Sequence, residues 1–232
     1  MIPAHEHEHD AGREVGVGPF PGGREAWPAD PRLDPELLEH GDARNVEDRF
    51  RYWSLEAIVA ELDTQRSPLQ IAIENLGHDF NIGSVVRTAN AFNVAAVHVV
   101  GRRRWNRRGA MVTDRYLHVH HHPDVAAFVR SLPTIRARPV DDGAHSPPQQ
   151  PPRAPRLPLI GIDNIPGSIP LEGAELPREC VLVFGEEAAG LSAEMAAACD
   201  RVHHISQHGS TRSMNVGAAA AIAMYEWARQ HL

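Results

Sequence analysis

The sequence predicts an α/β fold in which a mostly parallel sheet is flanked by helices, and two observations lead to this prediction. Short, nearly uninterrupted apolar runs recur along the chain, as is typical of strands that are buried on both faces. Segments with the apolar spacing of helices lie between these runs. Such alternation predicts parallel pairing, with helices on both faces of the sheet.

The first predicted element precedes the alternating part of the chain. Ser54 is placed to cap a helix that reaches about Leu62. Leu55, Ile58 and Val59 share one face of this helix with Leu62, which predicts that this face is packed.

From residue 69 onward, strands and helices alternate. The predicted strands cover residues 69–73, 95–100, 116–121, 159–162, 181–184 and 202–205. The predicted helices cover residues 81–92, 124–132, 192–198 and 213–231. The last helix carries an apolar stripe rich in alanine, which permits close approach to another element.

Composition divides the chain into three parts. Residues 1–45 are rich in glycine, proline, histidine and acidic residues, which predicts a flexible extension. Residues 46–66 are predicted to form a short helical element, and residues 67–232 form the main domain. Eight prolines between residues 133 and 158 interrupt the alternation and predict a surface insertion.

The net charge of −7 is unevenly distributed along the chain. Residues 1–48 hold 12 acidic residues and 4 arginines, whereas the remaining 184 residues carry a net charge of +1. Within the main domain, five arginines lie close together beside Trp105, a pattern that suits contacts with RNA phosphates. These candidate RNA-binding residues are Arg102, Arg103, Arg104, Arg107 and Arg108. A solvated loop without a partner is the alternative.

Composition also argues against several classes of protein. No run approaches 18 apolar residues, so we expect no transmembrane helix and no membrane partner. The N-terminus lacks a basic region followed by an apolar stretch, which argues against a secretory signal. Cys180 and Cys199 stand in no metal-ligand spacing, and we expect them to be reduced in the cytoplasm. The chain has 15 histidines, but no pattern completes a catalytic zinc site, so no functional metal is expected.

Residues 81–92 place polar side chains on an otherwise apolar helix. Asn81 stands at the helix start, where a side-chain oxygen can satisfy free backbone N–H groups. Arg87 follows about a turn and a half later. Because an unpaired buried arginine is costly, Arg87 requires a phosphate, a carboxylate or solvent. An ion pair with a glutamate and a solvent-facing side chain both stay open as alternatives.

A second segment begins where the strand of residues 181–184 ends. Gly185 follows this strand, and a glycine allows the backbone to approach a ligand closely. Ligands bind at the carboxyl ends of parallel strands, which makes this turn a candidate site. The adjacent Glu186 and Glu187 do not by themselves indicate acid–base catalysis. An ordinary strand-to-helix turn is the alternative.

A third segment runs from Ile205 through Gly209 to the last helix. Ser213 and Asn215 are predicted to lie at the N-terminus of that helix, which is a natural anion site. Taken alone, Ser213 is equally typical of a helix cap.

Together and in this order, the three segments resemble the motifs of the SpoU/TrmH-type ribose 2′-O-methyltransferases of the SPOUT superfamily. The matching stretches are residues 81–92, 184–191 and 213–216, and the resemblance covers residues 69–232. Ser206 and Gly217 depart from the proline and the small polar residue that are usual in this family. The resemblance implies S-adenosylmethionine as the methyl donor, a tRNA or rRNA substrate, a homodimer and a C-terminal trefoil knot.

The resemblance also implies roles for individual residues. Arg87 would activate the ribose 2′-hydroxyl, and because a free arginine stays protonated at neutral pH, we favour polarisation and positioning over proton abstraction. Asn81 would shape the site, Glu187 would hold its loops or pair with Arg87, and Ser213 and Asn215 would lie near the reacting groups. The residues expected to bind the cofactor are Phe184, Gly185, Ile205, Gly209 and Met214.

Two hypotheses follow from the sequence. The first is an active RNA ribose 2′-O-methyltransferase, and the alternative is a non-catalytic knotted module for RNA binding or assembly. The intact set of Asn81, Arg87, Glu187, Ser213 and Asn215 favours the enzyme.

Overall fold

A computed structural model describes residues 16–75, 81–133, 156–186, 189–211 and 213–232. The chain divides into two compact units, with the boundary between Glu61 and Leu62. This boundary lies within one continuous helix, Leu55–Asp63, and the predicted domain limits at residues 45 and 66 stay predictions.

Parts of two predicted features fall outside the described residues. Residues 1–15 belong to the predicted flexible extension, and residues 134–155 make up most of the predicted proline-rich insertion.

The N-terminal unit contains helix α1 (Pro35–His40) and most of helix α2 (Leu55–Asp63). The Asp34 carboxylate accepts a hydrogen bond of 2.9 Å from the backbone N–H of Glu36, which caps α1 ahead of a proline at its first position. The sequence analysis did not predict α1, which lies within the segment expected to be flexible. It did predict α2, and the Ser54 hydroxyl accepts the expected capping hydrogen bond from the N–H of Ala57 at 3.1 Å.

The second unit is built on a seven-stranded sheet in which all the pairings are parallel. The strand order is β3-β2-β1-β6-β4-β7-β5, so the direction of the chain through the sheet reverses beside β1. The strands are β1 (Ser67–Asn75), β2 (Val94–Gly101), β3 (Val119–His122), β4 (Leu159–Ile162), β5 (Ile169–Pro170), β6 (Val181–Phe184) and β7 (Arg201–His204).

Helices cover both faces of this sheet, which confirms the predicted fold class. They are α3 (Ile82–Ala91), α4 (Val125–Ser131), α5 (Ala193–Ala198) and α6 (Val216–His231). On one face, Val85 of α3 and Trp227 of α6 share a buried cluster with Ile71 of β1. On the other face, Phe128 of α4 packs in a second cluster with Ala72. Successive strand residues point to opposite faces, so the two clusters lie on the two sides of one sheet.

The element boundaries agree closely with the predictions where strands are fully buried. β4 and β6 cover the predicted residues 159–162 and 181–184. β3 is shorter than predicted, because Thr113–Tyr116 forms a 3-10 helix. The two-residue strand β5 was not predicted.

The imidazole rings of His98 on β2 and His122 on β3 are hydrogen-bonded to each other. Nδ1 of His98 lies 2.9 Å from Nε2 of His122, and Nε2 of His98 lies 2.9 Å from Oε1 of Gln70 on β1. Burial lowers the pKa of His98 to about 3 and also lowers the pKa of His122. Both rings are therefore neutral at neutral pH and link three neighbouring strands by hydrogen bonds.

Within the described ranges, no helix combines the length and the hydropathy needed to cross a membrane. The trefoil knot that the resemblance implies stays a prediction.

Candidate functional site

A cavity of about 250 Å³ lies at the carboxyl edge of the sheet, beyond β4, β6 and β7. Parallel sheets bind ligands at this edge, next to the point where the strand order reverses. The walls come from the segments that follow these three strands and from the start of α6. The lining residues are Ile162, Asp163, Asn164, Ile165, Gly185, Glu186, Ala189, Gly190, Ile205, Gln207, Ser213, Met214, Val216 and Ala219.

A tight turn after β6 forms one wall of the cavity. The backbone N–H of Glu186 donates to the carbonyl of Gly190 at 3.0 Å, and the N–H of Gly190 donates to the carbonyl of Glu186 at 2.8 Å. A Cβ atom on Gly185 would lie 2.0 Å from the carbonyl carbon of Gly190, so no side chain fits there. The turn therefore requires glycine at position 185 for close packing of the backbone.

Asp163, which directly follows β4, fixes the far end of this turn. Its Oδ2 accepts a hydrogen bond of 2.7 Å from the N–H of Leu191, and its Oδ1 accepts one of 2.7 Å from the N–H of Asn164. Asp163 is not among the site residues predicted from the sequence. Its position immediately after a buried strand was the available signal, because such positions face the ligand edge of a parallel sheet.

The buried carboxylate of Glu74 on β1 accepts hydrogen bonds from Ser192, which follows this turn. Glu74 is 2% exposed and accepts hydrogen bonds from the backbone N–H and the hydroxyl of Ser192, at 2.8 and 2.7 Å. Burial raises the pKa of Glu74, and the nearby carboxylates of Glu186 and Glu194 add to this rise. Since Ser192 also caps α5, Glu74 ties β1, the turn and α5 together.

The first and third motifs meet where α3 and α6 begin. Oδ1 of Asn215 caps α6 by accepting hydrogen bonds from the N–H groups of Gly217 and Ala218, at 2.9 and 3.2 Å. A Cβ atom on Gly217 would lie 3.2 Å from Cβ of Ser84 and 3.7 Å from Oδ1 of Asn81. Because Asn215 caps α6, this helix begins at Val216 rather than at the predicted residue 213.

Asn81 stands at the N-cap position of α3, but its side chain makes no capping hydrogen bond. The capping interaction that the sequence suggested is therefore absent. The backbone of Asn81 is helical, with φ −106° and ψ −3°, whereas a capping residue is usually extended. Its side-chain oxygen lies instead near Gly217, at the junction of α3 and α6.

Arg87 lies on the exposed side of α3. Among the residues that the structure describes, its guanidinium has no hydrogen-bond or ion-pair partner. This exposure agrees with a solvent-facing arginine, and the alternative of an ion pair with Glu187 stays a prediction. Glu187, its predicted partner, lies outside the described residues.

The arginine loop, residues 102–116, lies between β2 and β3 and packs on the first turn of α3. A Cβ atom on Gly83 would lie 2.7 Å from Cα of Gly109, so the two backbones are in direct contact. The Asn75 amide, at the end of β1, donates to the carbonyls of Arg102 and Arg104 at 2.7 and 3.1 Å. All five arginines predicted to bind RNA are exposed.

The structure brings several predicted cofactor residues together and leaves two outside the cavity. Gly185, Ile205 and Met214 line the cavity, as does Ser213, which was predicted to act nearer the reacting groups. Phe184 is fully buried in the core beneath the site.

Gly209, the other predicted cofactor residue, is exposed, and no atom would contact a Cβ added to it. Within the described part of the chain, no cluster of three or more histidine, cysteine or carboxylate residues has a metal-binding arrangement.

Comparison with known protein families shows to which family this chain belongs. The model of the SpoU rRNA Methylase family matches residues 68–225, which includes all three motifs. The chain belongs to this family. The chain is also similar to a protein of Mycobacterium ulcerans that is called an uncharacterized tRNA/rRNA methyltransferase. It is 30% identical over 176 residues, which cover 75% of this chain and 50% of that protein.

A second relative is the tRNA (guanosine(18)-2′-O)-methyltransferase TARBP1 of Mus musculus. It is 29% identical over 173 residues, which cover 75% of this chain and 10% of that protein. The chain thus spans half or less of the length of these two relatives.

Solved structures of SpoU proteins share the fold. The TrmH/SpoU tRNA modifying enzyme of A. aeolicus superimposes with a TM-score of 0.58 at 19% identity, over 76% of this chain and 81% of that one. The SpoU methyltransferase AviRb of Streptomyces viridochromogenes, solved in complex with AdoMet, gives a TM-score of 0.53 at 22% identity. That match covers 72% of this chain and 58% of AviRb.

Proposed function

We propose that this protein transfers a methyl group from S-adenosylmethionine to a ribose 2′-hydroxyl of tRNA or rRNA. One observation carries the proposal more than any other. The second and third motifs form a single cavity, and α6, which begins at that cavity, packs at its start against the helix that carries Arg87.

The residues of the cavity fit the proposed cofactor. Apolar side chains such as Ile162, Ile205 and Met214 suit an adenine ring. Asp163 and Glu186 supply negative charge, and no lysine or arginine occurs among the described lining residues, so the cavity suits a cation. When bound, S-adenosylmethionine supplies an electrophilic methyl group on a positively charged sulfonium.

The cavity volume of about 250 Å³ lies slightly below the range for small-molecule sites, which begins at roughly 300 Å³. In the proposed complex, the methyl group of the cofactor faces the start of α6. Ser213 lines the cavity just before that helix.

Arg87 would act on the RNA rather than on the cofactor. Its exposed, unpartnered guanidinium in the described part of the chain can bind an RNA phosphate and place the adjacent 2′-hydroxyl. The positive charge would also stabilise the alkoxide character that develops on the 2′-oxygen as it attacks. Arg87 would thus contribute by positioning and electrostatics.

Asn81 and Asn215 would complete the site between α3 and α6. The Oδ1 atom of Asn215 already accepts the hydrogen bonds that cap α6. The side-chain N–H groups would therefore be the part of this amide that binds the substrate, by donating to a substrate oxygen. The predicted role of Glu187 in holding the loops stays part of this proposal.

The proposal includes a homodimer in which α6 contributes to the interface. Ile222 and Tyr225 on this helix are exposed, at 42% and 62%, and a second copy would cover this apolar surface. Sedimentation of the purified full chain would show whether it is a dimer.

Incubation of the protein with methyl-labelled S-adenosylmethionine and separate pools of tRNA and rRNA tests the proposal. We expect label in one pool, with the modified position resistant to alkaline cleavage at a single ribose. Cofactor binding without label in either pool would instead favour the non-catalytic module.

A further inference from the structure

Two apolar side chains are presented to solvent within the arginine loop. Met111 is 63% exposed and Val112 is 52% exposed. Both have left-handed backbone conformations, with φ +48° and +70°. Such a conformation is unusual for any residue with a side chain, and a β-branched residue such as valine is a marked outlier.

The surrounding contacts hold this strained tip in place. The backbone N–H of Met111 donates to the carbonyl of Arg108 at 3.1 Å, and the hydroxyl of Thr113 donates to the carbonyl of Ala110 at 2.6 Å. Ala110 is fully buried, and its neighbour Gly109 is in backbone contact with α3. A strained backbone persists only where its surroundings impose it, and it often marks a functional position.

The charge around the tip indicates an anionic partner. Residues 102–116 contain six arginines and one aspartate. Within the described part of the chain, the side chains of Arg103, Arg104 and Arg108 have no hydrogen-bond or ion-pair partner. An apolar tip on a loop that also carries these three arginines matches the two components of an exposed nucleotide, which are a phosphate and the face of a base.

The position of the tip relates it to the proposed reaction. The loop contacts α3 at Gly83, four residues before Arg87, which is a rise of about 6 Å along the helix. A nucleotide on the loop would therefore be next to, or one removed from, a ribose held by Arg87.

We propose that Met111 and Val112 form an apolar tip that lies against the base of an unpaired RNA nucleotide beside the target ribose, while the loop arginines bind its phosphates. The proposal rests on the proposed function for its choice of RNA. It assigns selectivity for unpaired RNA to the loop, because the base faces of a duplex are stacked and are not accessible to such a tip.

The test compares binding of a labelled, unstructured 20-nucleotide RNA and of an RNA duplex of the same length by the full chain. The variant Met111→Asn/Val112→Asn removes the apolar surface but keeps residues that tolerate a left-handed backbone. We expect it to bind the single strand about tenfold more weakly, with an unchanged dependence on salt concentration, because no phosphate contact is lost. It should bind the duplex as the wild type does.

Matched variants separate the base contact from the charge. The variant Arg103→Ala/Arg104→Ala should bind both RNAs more weakly. For the single strand, the slope of log K against log salt should become smaller in magnitude by about 1.4. Ile169→Gln, which replaces an exposed apolar residue on β5, should leave both affinities unchanged. Calorimetric binding of S-adenosylmethionine to each variant reports that the fold is intact.

Three results would overturn the proposal. They are wild-type affinity of the tip variant for the single strand, an equal loss for strand and duplex, and conversion of a dimer to a monomer by the tip substitutions. The last result would mean that a second copy covers the tip. Because these readouts are RNA binding and oligomeric state, they are distinct from a failure of methyl transfer, which would contradict the proposed function alone.

Discussion

The cavity and the arginine loop differ most clearly in the charge that they present. The cavity is lined by Asp163 and Glu186, with no basic side chain among its described lining residues. The loop holds six arginines and one aspartate. The difference teaches that the two regions present opposite charge, which suits the cationic cofactor and the anionic RNA of the proposed function, although the net charge of −7 suggests neither region.

Helix α3 contacts both regions. Its Gly83 touches the loop at Gly109, and its Ser84 lies beside Gly217 at the start of α6. The carboxylate of Glu74 and the amide of Asn75, adjacent residues of β1, hold the cavity turn and the loop respectively. Two neighbouring elements therefore fix the relative positions of the two surfaces.

The largest expected effect comes from a substitution in the turn that forms one wall of the cavity. Gly185→Ala would place a methyl group 2.0 Å from the carbonyl carbon of Gly190, and only a shift of the backbone can relieve that overlap. We expect a loss of at least about 3 kcal/mol in the free energy of unfolding and no measurable cofactor binding. Denaturant unfolding and calorimetry measure these two quantities.

Gly209→Ala is the matched control for that substitution. A Cβ atom at Gly209 meets nothing within 4 Å, so stability and cofactor affinity should both stay at wild-type values. A large loss of affinity in Gly209→Ala would restore the role that the resemblance gave to Gly209.

The next effect concerns the strands that carry the arginine loop. The folded-state pKa of His98 is about 3, well below its unfolded value of 6.5, so the unfolded chain takes up a proton first as the pH falls. The contribution of His98 to stability should be fully present above about pH 6.5 and should be lost, at a cost of a few kcal/mol, as the pH falls toward 3. Denaturant unfolding of the full chain across this range measures the decline.

Substitution of His98 isolates its share of that acid sensitivity. His98→Asn should be less stable at neutral pH and should lose less stability on acidification than the wild type. His208→Asn, at an exposed loop position, should follow the wild-type curve. Identical pH dependence in all three proteins would show that His98 is not responsible.

A smaller effect is expected from a substitution in the cavity that should change cofactor affinity but not RNA affinity. Asp163→Asn removes a negative charge from the cavity and one of the acceptors that bind the backbone of Leu191 and Asn164. We expect cofactor affinity to fall about tenfold, since hydrogen bonds to charged groups contribute roughly 1.5–3 kcal/mol. RNA affinity, measured without cofactor, should not change. An equal loss of both affinities would contradict the separation of the two surfaces.

The sequence was most informative where burial dictates a single pattern. The strands of residues 159–162 and 181–184 were located correctly because both faces of each are buried and their runs are continuously apolar. Strand β5 (Ile169–Pro170) was missed because two residues carry no periodicity. Helix α1 was missed because an acidic, proline-rich composition outweighed the capping signal of Asp34.

Prediction of the site depended on motifs more than on periodicity. Gly185, Ile205 and Met214 were found because they belong to the recognised motifs, and they do line the cavity. Asp163 and Glu74 were missed because their importance lies in long-range hydrogen bonds to the turn at residues 186–192, which local sequence does not reveal.

The central claim is that Arg87 acts on the RNA and not on the cofactor. The most direct test measures methyl transfer and cofactor affinity in one variant. In Arg87→Ala, single-turnover methyl transfer to RNA should fall about 1,000-fold or more, while the cofactor Kd should change by less than about threefold. Arg130→Ala, at an exposed arginine on α4, should behave as the wild type in both measurements. Retained transfer in Arg87→Ala, or an equal loss of transfer and cofactor affinity, would contradict a site in which Arg87 serves the RNA alone.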